Sequence, residues 1–264
     1  MHDTDAQGEP LVLVVPCYNE AARLNRAAFE AALSSMPWLQ LCFVNDGSRD
    51  DTGTLLESIR QAWPDRVRVV SLAKNAGKAE AVRQGLLMAS TISTTCGFWD
   101  ADLATPLHEL VALREVLSRH PQVEWVWGIR LRALGRQVER RALRHYLGRL
   151  FATCSSVLLG IDSYDTQCGA KLFTVSPLLR AVIAEPFRSR WIFDVEMLAR
   201  ADALLRYAGT RRIGTVVYEQ PLALWQHVAG SKVKPVDFVK AFRELLVVRS
   251  QQAVWCRALP ARPA

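Results

Sequence analysis

The chain has 264 residues, half of them hydrophobic, which is enough for one sizeable core and falls in the single-domain range, so one globular catalytic or binding domain is expected. The acidic start MHDTDAQGEP does not read as a secretion signal, no uninterrupted apolar run of about eighteen residues marks a membrane span, and six scattered cysteines lack zinc-site or disulfide-framework spacing. The formal net charge of +7 calls for an anionic partner, and by itself admits nucleic acid, a lipid surface or a phosphorylated substrate.

In chain order, Leu11 to Val15 is a continuous β-rich run, closed by the turn Pro16-Cys17-Tyr18-Asn19-Glu20; a helix is expected from about Ala21 to Leu33. Leu39 to Val44 is the second strand. It ends in Asn45-Asp46-Gly47-Ser48, after which Asp50 or Asp51 can cap a helix reaching about Ala62. Val67 to Leu72 is the third strand, followed by Lys74-Asn75-Ala76-Gly77-Lys78, a helix from about Ala79 to Ala89, and a fourth strand ending at Trp99-Asp100. Such βαβα order with apolar rather than alternating strands predicts an α/β fold with a mostly parallel sheet between helices. The polar motifs all follow strand C-termini, where ligands bind in open α/β sheets. Asp100 and Asp102 then stand at the sheet rim, one residue apart. Two such carboxylates repel, and a divalent cation bridging to a diphosphate suits them. A lone D-x-D triplet also arises as a solvated cap or turn.

Further along, arginines 130, 132, 136, 140, 141, 144 and 149 recur beside Leu131, Leu134, Val138, Leu143, Tyr146, Leu147, Leu150 and Phe151. Placed on a helix they give an apolar stripe flanked by guanidinium groups, suited either to an anionic lipid surface or to an ordinary solvated face. The aromatics are not interleaved with this run as a stacking platform, which argues against nucleic acid. Past Val217, YEQPLALWQHVAGSKVKP reads as loop, and Val236 to Val248 as an amphipathic helix.

The order P-x-Y-N-E, N-D-G-S-x-D-x-T, N-x-G-K, D-A-D resembles the family 2, GT-A-type glycosyltransferases. Within them, DTQCGAKLF (165–173), RWIFDVEML (190–198) and GSK (230–232) resemble the polyprenyl- or dolichyl-phosphate β-glucosyltransferases, over Leu11 to about Leu246. The resemblance implies a GT-A domain over 11–249, with a nucleotide-sugar half (11–105), an acceptor half (106–249), C-terminal amphipathic helices, and tails at 1–10 and 250–264. It implies UDP-glucose as donor, bound by Pro16, Tyr18, Glu20, Asp46, Gly77, Lys78, Asp100, Ala101, Asp102, Gln167 and Lys232. It further implies Mg²⁺ or Mn²⁺ on Asp100 and Asp102, and a polyprenyl phosphate whose phosphate meets Arg130, Arg141, Arg144 and Ser231.

Asp102, Asp165 and Asp194 are the implied catalytic group, with Asp194 favoured if a general base operates. For Asp165 and Asp194 a buried carboxylate paired with an arginine is the alternative. Cys168 reads as a packed residue, because no histidine nearby in sequence would activate it. Ser231 and Lys232 suit a lid, and His227 belongs with them. Three positions depart from the family pattern: Asn45 replaces an aspartate, Ala104 a glutamine of mannose-using relatives, and Ala170 a phenylalanine. The expected activity is inverting, metal-dependent glucosyl transfer at the cytoplasmic face of a membrane; a mannosyl or other hexosyltransferase using GDP-mannose or a soluble acceptor, or a non-catalytic nucleotide-sugar-binding protein, is the alternative. The ending ALPARPA leads to the expectation of peripheral attachment.

Overall fold

The computed structural model describes residues 9–138, 142–226, 228 and 235–258, of which 142–147, 149, 235–239, 253 and 256–258 are described by their backbone alone. The first half alternates as read from sequence: β1 (Leu11–Cys17), α1 (Arg26–Ser35), β2 (Leu39–Asn45), α2 (Thr52–Ala62), β3 (Val67–Ser71), α3 (Lys78–Ile92) and β4 (Thr95–Trp99). The second half adds α4 (Glu109–Arg119), β5 (Trp125–Ile129), β6 (Gln137–Val138), α5 (Ala142–Leu159), β7 (Ala170–Thr174), α6 (Pro177–Ala184) and α7 (Phe193–Ala208). It closes with α8 (Ile213–Val216), β8 (Val217–Pro221), β9 (Leu224–Trp225) and α9 (Pro235–Ala258).

Seven strands form one sheet in the order β3-β2-β1-β4-β7-β5-β8, and β6 pairs with β9 apart from it. The β3, β2, β1 and β4 strands are mutually parallel, β7 runs antiparallel to both β4 and β5, and β8 is parallel to β5. Side chains on β1 alternate between two cores. Val12 and Val14 pack with Leu86 of α3 and Val195 and Met197 of α7. Leu11, Leu13 and Val15 pack with Phe29 of α1, Leu56 of α2 and Leu110 of α4. Both sheet faces are therefore covered, and this is why the strand reads as an unbroken apolar run.

Four expectations change. The first helix begins at Arg26 rather than Ala21, because the Arg23 and Leu24 N–H groups turn back onto the Glu20 carbonyl and the Asn25 side chain caps Ala28 N–H at 3.1 Å. The basic run does not lie on one helix. Arg130 and Arg132 follow β5 in coil, Gly135 turns the chain at φ +79°, and α5 starts only at Ala142. Tyr218 to Pro221, read as loop, belong to the half-buried edge strand Val217–Pro221; its polar residues and terminal proline suit a position with one unpaired side. The helix expected over Val236 to Val248 spans Pro235–Ala258 and so runs on past residue 249.

Candidate active site

The carboxyl ends of β1, β2, β4 and β5 lie along one edge of the sheet and deliver Tyr18 and Glu20, Asp46, Asp100 and Asp102, and Arg130 respectively. Because β7 runs the other way, its N-terminal loop, Asp165 to Gly169, arrives at the same edge. Motifs far apart in sequence thus meet there: the Asp100 N–H donates to the Gly169 carbonyl at 2.9 Å.

The D-A-D-L-A-T turn is tightly held. Leu103 N–H donates to the Asp100 carbonyl, Ala104 N–H to Asp102 Oδ1 at 3.1 Å, and the Trp99 indole N–H to the Thr105 carbonyl at 2.7 Å. Leu103 sits at φ +52°, a left-handed conformation uncommon for a bulky residue, so the turn stores strain directly after Asp102. Ala104 is nearly buried and its carbonyl accepts from Gln226 N–H at 2.8 Å, which ties the turn to the strand β9 region.

Lys78, at the start of α3, puts Nζ 2.5 Å from Asp100 Oδ1. Burial alone would lower the Lys78 ammonium; the charges of Asp100, Asp194 and Asp102 outweigh it and the net shift is upward. Burial pushes the Asp102 carboxyl above the usual carboxylate range, the neighbouring Asp100 charge adds to this, and Ala104 N–H, Lys78 and Arg23 oppose it. Among the described residues no cluster of three or more His, Cys, Asp or Glu is assembled for a metal. Asp100 and Asp102 supply hard carboxylate oxygens of excess negative charge, which fits Mg²⁺ or Mn²⁺ when diphosphate and water complete the shell.

The remaining predicted residues separate into two groups. Some are engaged within the protein. Asp46, 3% exposed, accepts from the Ala76 N–H (2.7 Å), the Gly77 N–H (2.9 Å) and the Asn75 amide (3.0 Å), and so fixes the turn before α3. Asn45 closes its own turn by accepting from Ser48 N–H at 3.0 Å, work an amide does as well as a carboxylate. Glu20 holds Arg23 through Nε and Nη2 at 3.0 and 3.1 Å. Arg130, expected to meet the acceptor phosphate, gives Nε and Nη2 to Asp165, each at 2.7 Å, and its backbone N–H also donates there. Burial would lower the Arg130 guanidinium, and the adjoining Asp165 charge more than reverses that.

Asp194 is paired with a lysine, where the alternative reading gave it an arginine. Lys171, fully buried on β7, donates to Asp194 Oδ1 (2.7 Å) and to the carbonyls of Thr166 (2.9 Å) and Cys168 (2.5 Å). Its Nζ also lies over the Trp127 ring at 4.4 Å and the Phe98 ring at 5.1 Å. Burial raises the Asp194 carboxyl against the pull of Lys171 and Lys78. Cys168 is 0% exposed with its thiol pushed up to about 11 by burial, consistent with a packed residue. Ala170 is likewise 0% exposed, and a Cβ on Gly128 would stand 3.3 Å from its own Cβ, so the position where relatives carry phenylalanine is packed against β5.

The second group lies at the rim. Tyr18 and Pro16 are half-buried beside Glu20, Ala101 is nearly buried between the two aspartates, and Gly77 caps α3 at φ +95°. Gln167 is half-buried, and its buried Nε2 makes no hydrogen bond among the described residues. Arg141, Ser231, Lys232 and His227 lie outside the described residues, and Arg144 is described by its backbone alone.

Sequence reasoning missed several supports. Gly169 touches Asp100 so closely that a Cβ there would fall 2.1 Å from the Asp100 carboxylate. Glu219 on β8 accepts from Tyr164 N–H at 2.8 Å and the Ser163 hydroxyl at 2.6 Å, holding the loop that carries Asp165. Glu109 accepts from the Ala223 and Leu224 N–H groups. The glycine and lysine of DTQCGAKLF were visible as motif letters; the glutamates gave no local signal.

A parallel half-sheet that brings a lysine and a D-x-D pair to its carboxyl edge, joined there by a loop from an antiparallel strand, is the architecture of a GT-A glycosyltransferase. Residues 12–174 match the model of Glycosyl transferase family 2, and the chain belongs to that family. It is 30% identical to dolichyl-phosphate beta-glucosyltransferases of Mus musculus and Homo sapiens over 93% of this chain and 76% of each relative. The Saccharomyces cerevisiae enzyme of that name is 30% identical over 90% of this chain and 74% of its own. Among solved structures, Mycobacterium tuberculosis glucosyl-3-phosphoglycerate synthase, in complex with Mn²⁺, UDP and glucosyl-3-phosphoglycerate, shares the fold. It superposes with a TM-score of 0.65 at 20% identity, covering 94% of this chain and 81% of that one.

Proposed function

We propose that the chain transfers glucose from UDP-glucose to a dolichyl-type polyprenyl phosphate, with inversion to a β-linked glucosyl phosphate. The observation that carries this is the meeting of Lys78, Asp100 and Asp102 with the DTQCG loop at one sheet edge, in a chain 30% identical to dolichyl-phosphate beta-glucosyltransferases. Asp100 and Asp102 would hold Mg²⁺ or Mn²⁺, whose chemistry is to neutralise charge developing on the departing diphosphate. Lys78 stands ready to share that load once the donor draws it from Asp100.

The acceptor phosphate is already ionised near neutral pH, so its oxygen needs alignment and charge neutralisation more than a strong base. Asp165 suits this economy, since its oxygens are engaged by Arg130, and it acts by fixing the loop ahead of β7. Asp194, tied to Lys171, is the remaining buried carboxylate facing Lys78 and is the better candidate for orienting sugar or acceptor. Gln167, with a free amide nitrogen, suits a sugar hydroxyl.

Peripheral attachment to the cytoplasmic face of a membrane completes the reading. It is supported by Leu150 and Val157 of α5 and Leu246, Val247 and Val254 of α9, all substantially exposed, with Arg243 and Arg249 exposed on α9. Among the described residues no helix is long and apolar enough to cross a membrane.

The test is transfer of radiolabelled sugar from a panel of UDP- and GDP-hexoses into extractable dolichyl phosphate, with Mg²⁺ or Mn²⁺ and with chelator. Metal-dependent label from UDP-glucose is the expected result. Label from GDP-mannose, or transfer to a water-soluble phosphate alone, would overturn donor or acceptor respectively.

A further inference from the structure

Arg190 enters α7 on a segment pinned from both sides. Glu196, 0% exposed, accepts from the Arg188 N–H (3.1 Å), the Ser189 N–H (2.8 Å) and the Ser189 hydroxyl (2.8 Å), and is itself held by Arg200 at 2.7 Å. On the other side, Ile192 occupies the N-cap of α7 and offers no side-chain acceptor. Glu244 of α9 supplies one, accepting from Trp191 N–H at 3.0 Å and Ile192 N–H at 3.3 Å. Two carboxylates from two helices thus fix the backbone on either side of one arginine.

The Arg190 guanidinium is not engaged in the same way. The residue is exposed, no carboxylate of the described residues pairs with it, and Nη2 reaches the Ala76 carbonyl only at 3.5 Å. It lies against Gly77, where a Cβ would stand 3.4 Å from Nε and 3.5 Å from Nη2. Gly77, at φ +95°, therefore offers bare backbone beneath the guanidinium, in a conformation that other residues rarely take. The next residue is Lys78, the cation that meets Asp100. An arginine whose backbone is anchored, and whose guanidinium has no carboxylate partner among the described residues, keeps its charge available for an anion beside the turn that leads into Lys78. The planar fork of a guanidinium matches phosphate oxygens.

We propose that Arg190 is a phosphate-binding residue of the transfer site, reaching from the acceptor half across the Gly77 turn to the phosphate of donor or acceptor. The proposal rests on the transferase reading above. Its test compares wild type, Arg190→Ala and Arg190→Lys in two arms: calorimetric binding of UDP and of uridine in the presence of Mn²⁺, and the KM for dolichyl phosphate in the transfer assay.

A fall in UDP affinity of about 10- to 100-fold in Arg190→Ala, with uridine binding unchanged, assigns the contact to the donor diphosphate. A rise of that size in the dolichyl phosphate KM with UDP affinity intact assigns it to the acceptor. Arg190→Lys keeps the charge without the fork and should fall between the other two. All three proteins should unfold within about 2 °C of one another, because the guanidinium supports little of the fold. Unchanged UDP affinity and unchanged KM in Arg190→Ala would overturn the proposal. Wild-type protein that neither binds UDP nor transfers glucose would instead overturn the reading beneath it.

Discussion

Gly169→Ala isolates one contact on which the site depends. The added Cβ would sit 2.1 Å from Asp100 Cγ and Oδ2, where ordinary contact begins at 3.4 Å, so the carboxylate must move by about 1.3 Å. The Gly169 backbone cannot retreat easily, since its carbonyl accepts the Asp100 N–H at 2.9 Å and β7 is locked between β4 and β5. Rotation of the Asp100 side chain is the cheaper response, and it breaks the pair with Lys78. That pair is 43% and 35% exposed at its two side chains, so its loss costs about 1 kcal/mol or less, a shift of roughly 2–4 °C in Tm. Misplacing a catalytic or ligand-holding group by about 1 Å costs roughly 100-fold in rate. The expected outcome is therefore a large loss of glucosyl transfer in a protein that melts nearly like wild type. Transfer to dolichyl phosphate and thermal unfolding are the two assays. In an Asp100→Ala background the methyl group has room, and adding Gly169→Ala should change neither. Transfer by Gly169→Ala within threefold of wild type would refute the reasoning.

Other expectations follow from the same geometry. Lys171→Met leaves Asp194 buried beside a lost cation and should cost about 3–5 kcal/mol in urea unfolding, most of it recovered in Lys171→Met/Asp194→Leu; a loss below about 1 kcal/mol would show that the pair does not anchor α7 to β7. Asp102→Asn should abolish metal-dependent transfer while raising stability at neutral pH. Because the fold raises the Asp102 carboxyl, its stabilising contribution is present below the unfolded value and is lost as pH rises through the folded one, so the variant's advantage should vanish on acidification towards about pH 4. An advantage that grows on acidification would contradict that sign. Replacing Leu246, Val247 and Val254 together by glutamate should leave folding intact and weaken co-sedimentation with anionic vesicles about tenfold; unchanged sedimentation would remove α9 from the membrane-facing surface.

The chain's own order of residues determined the α/β class, the strand and helix succession of the first half, and the placing of Asp100, Asp102, Lys78 and Asp46 after strands. Those features are local: apolar runs buried on both faces, turn residues at fixed offsets, and a rim that follows from parallel connection. What each polar residue does there was decided only by the tertiary structure, because partners come from distant segments. Asp46 accepts from the turn before α3 some 30 residues on, and Arg130 pairs with Asp165, 35 residues on. Lys171, apolar neighbours on both sides, meets Asp194 only because β7 reverses direction beside β4. The stripe of arginines failed as a helix for a related reason: periodicity in sequence does not register a glycine turn and a short β6–β9 pairing that bend the chain before α5 begins. Sequence fixes which groups can carry charge, but the fold alone decides which of those charges cancel inside the protein and which are left for a ligand.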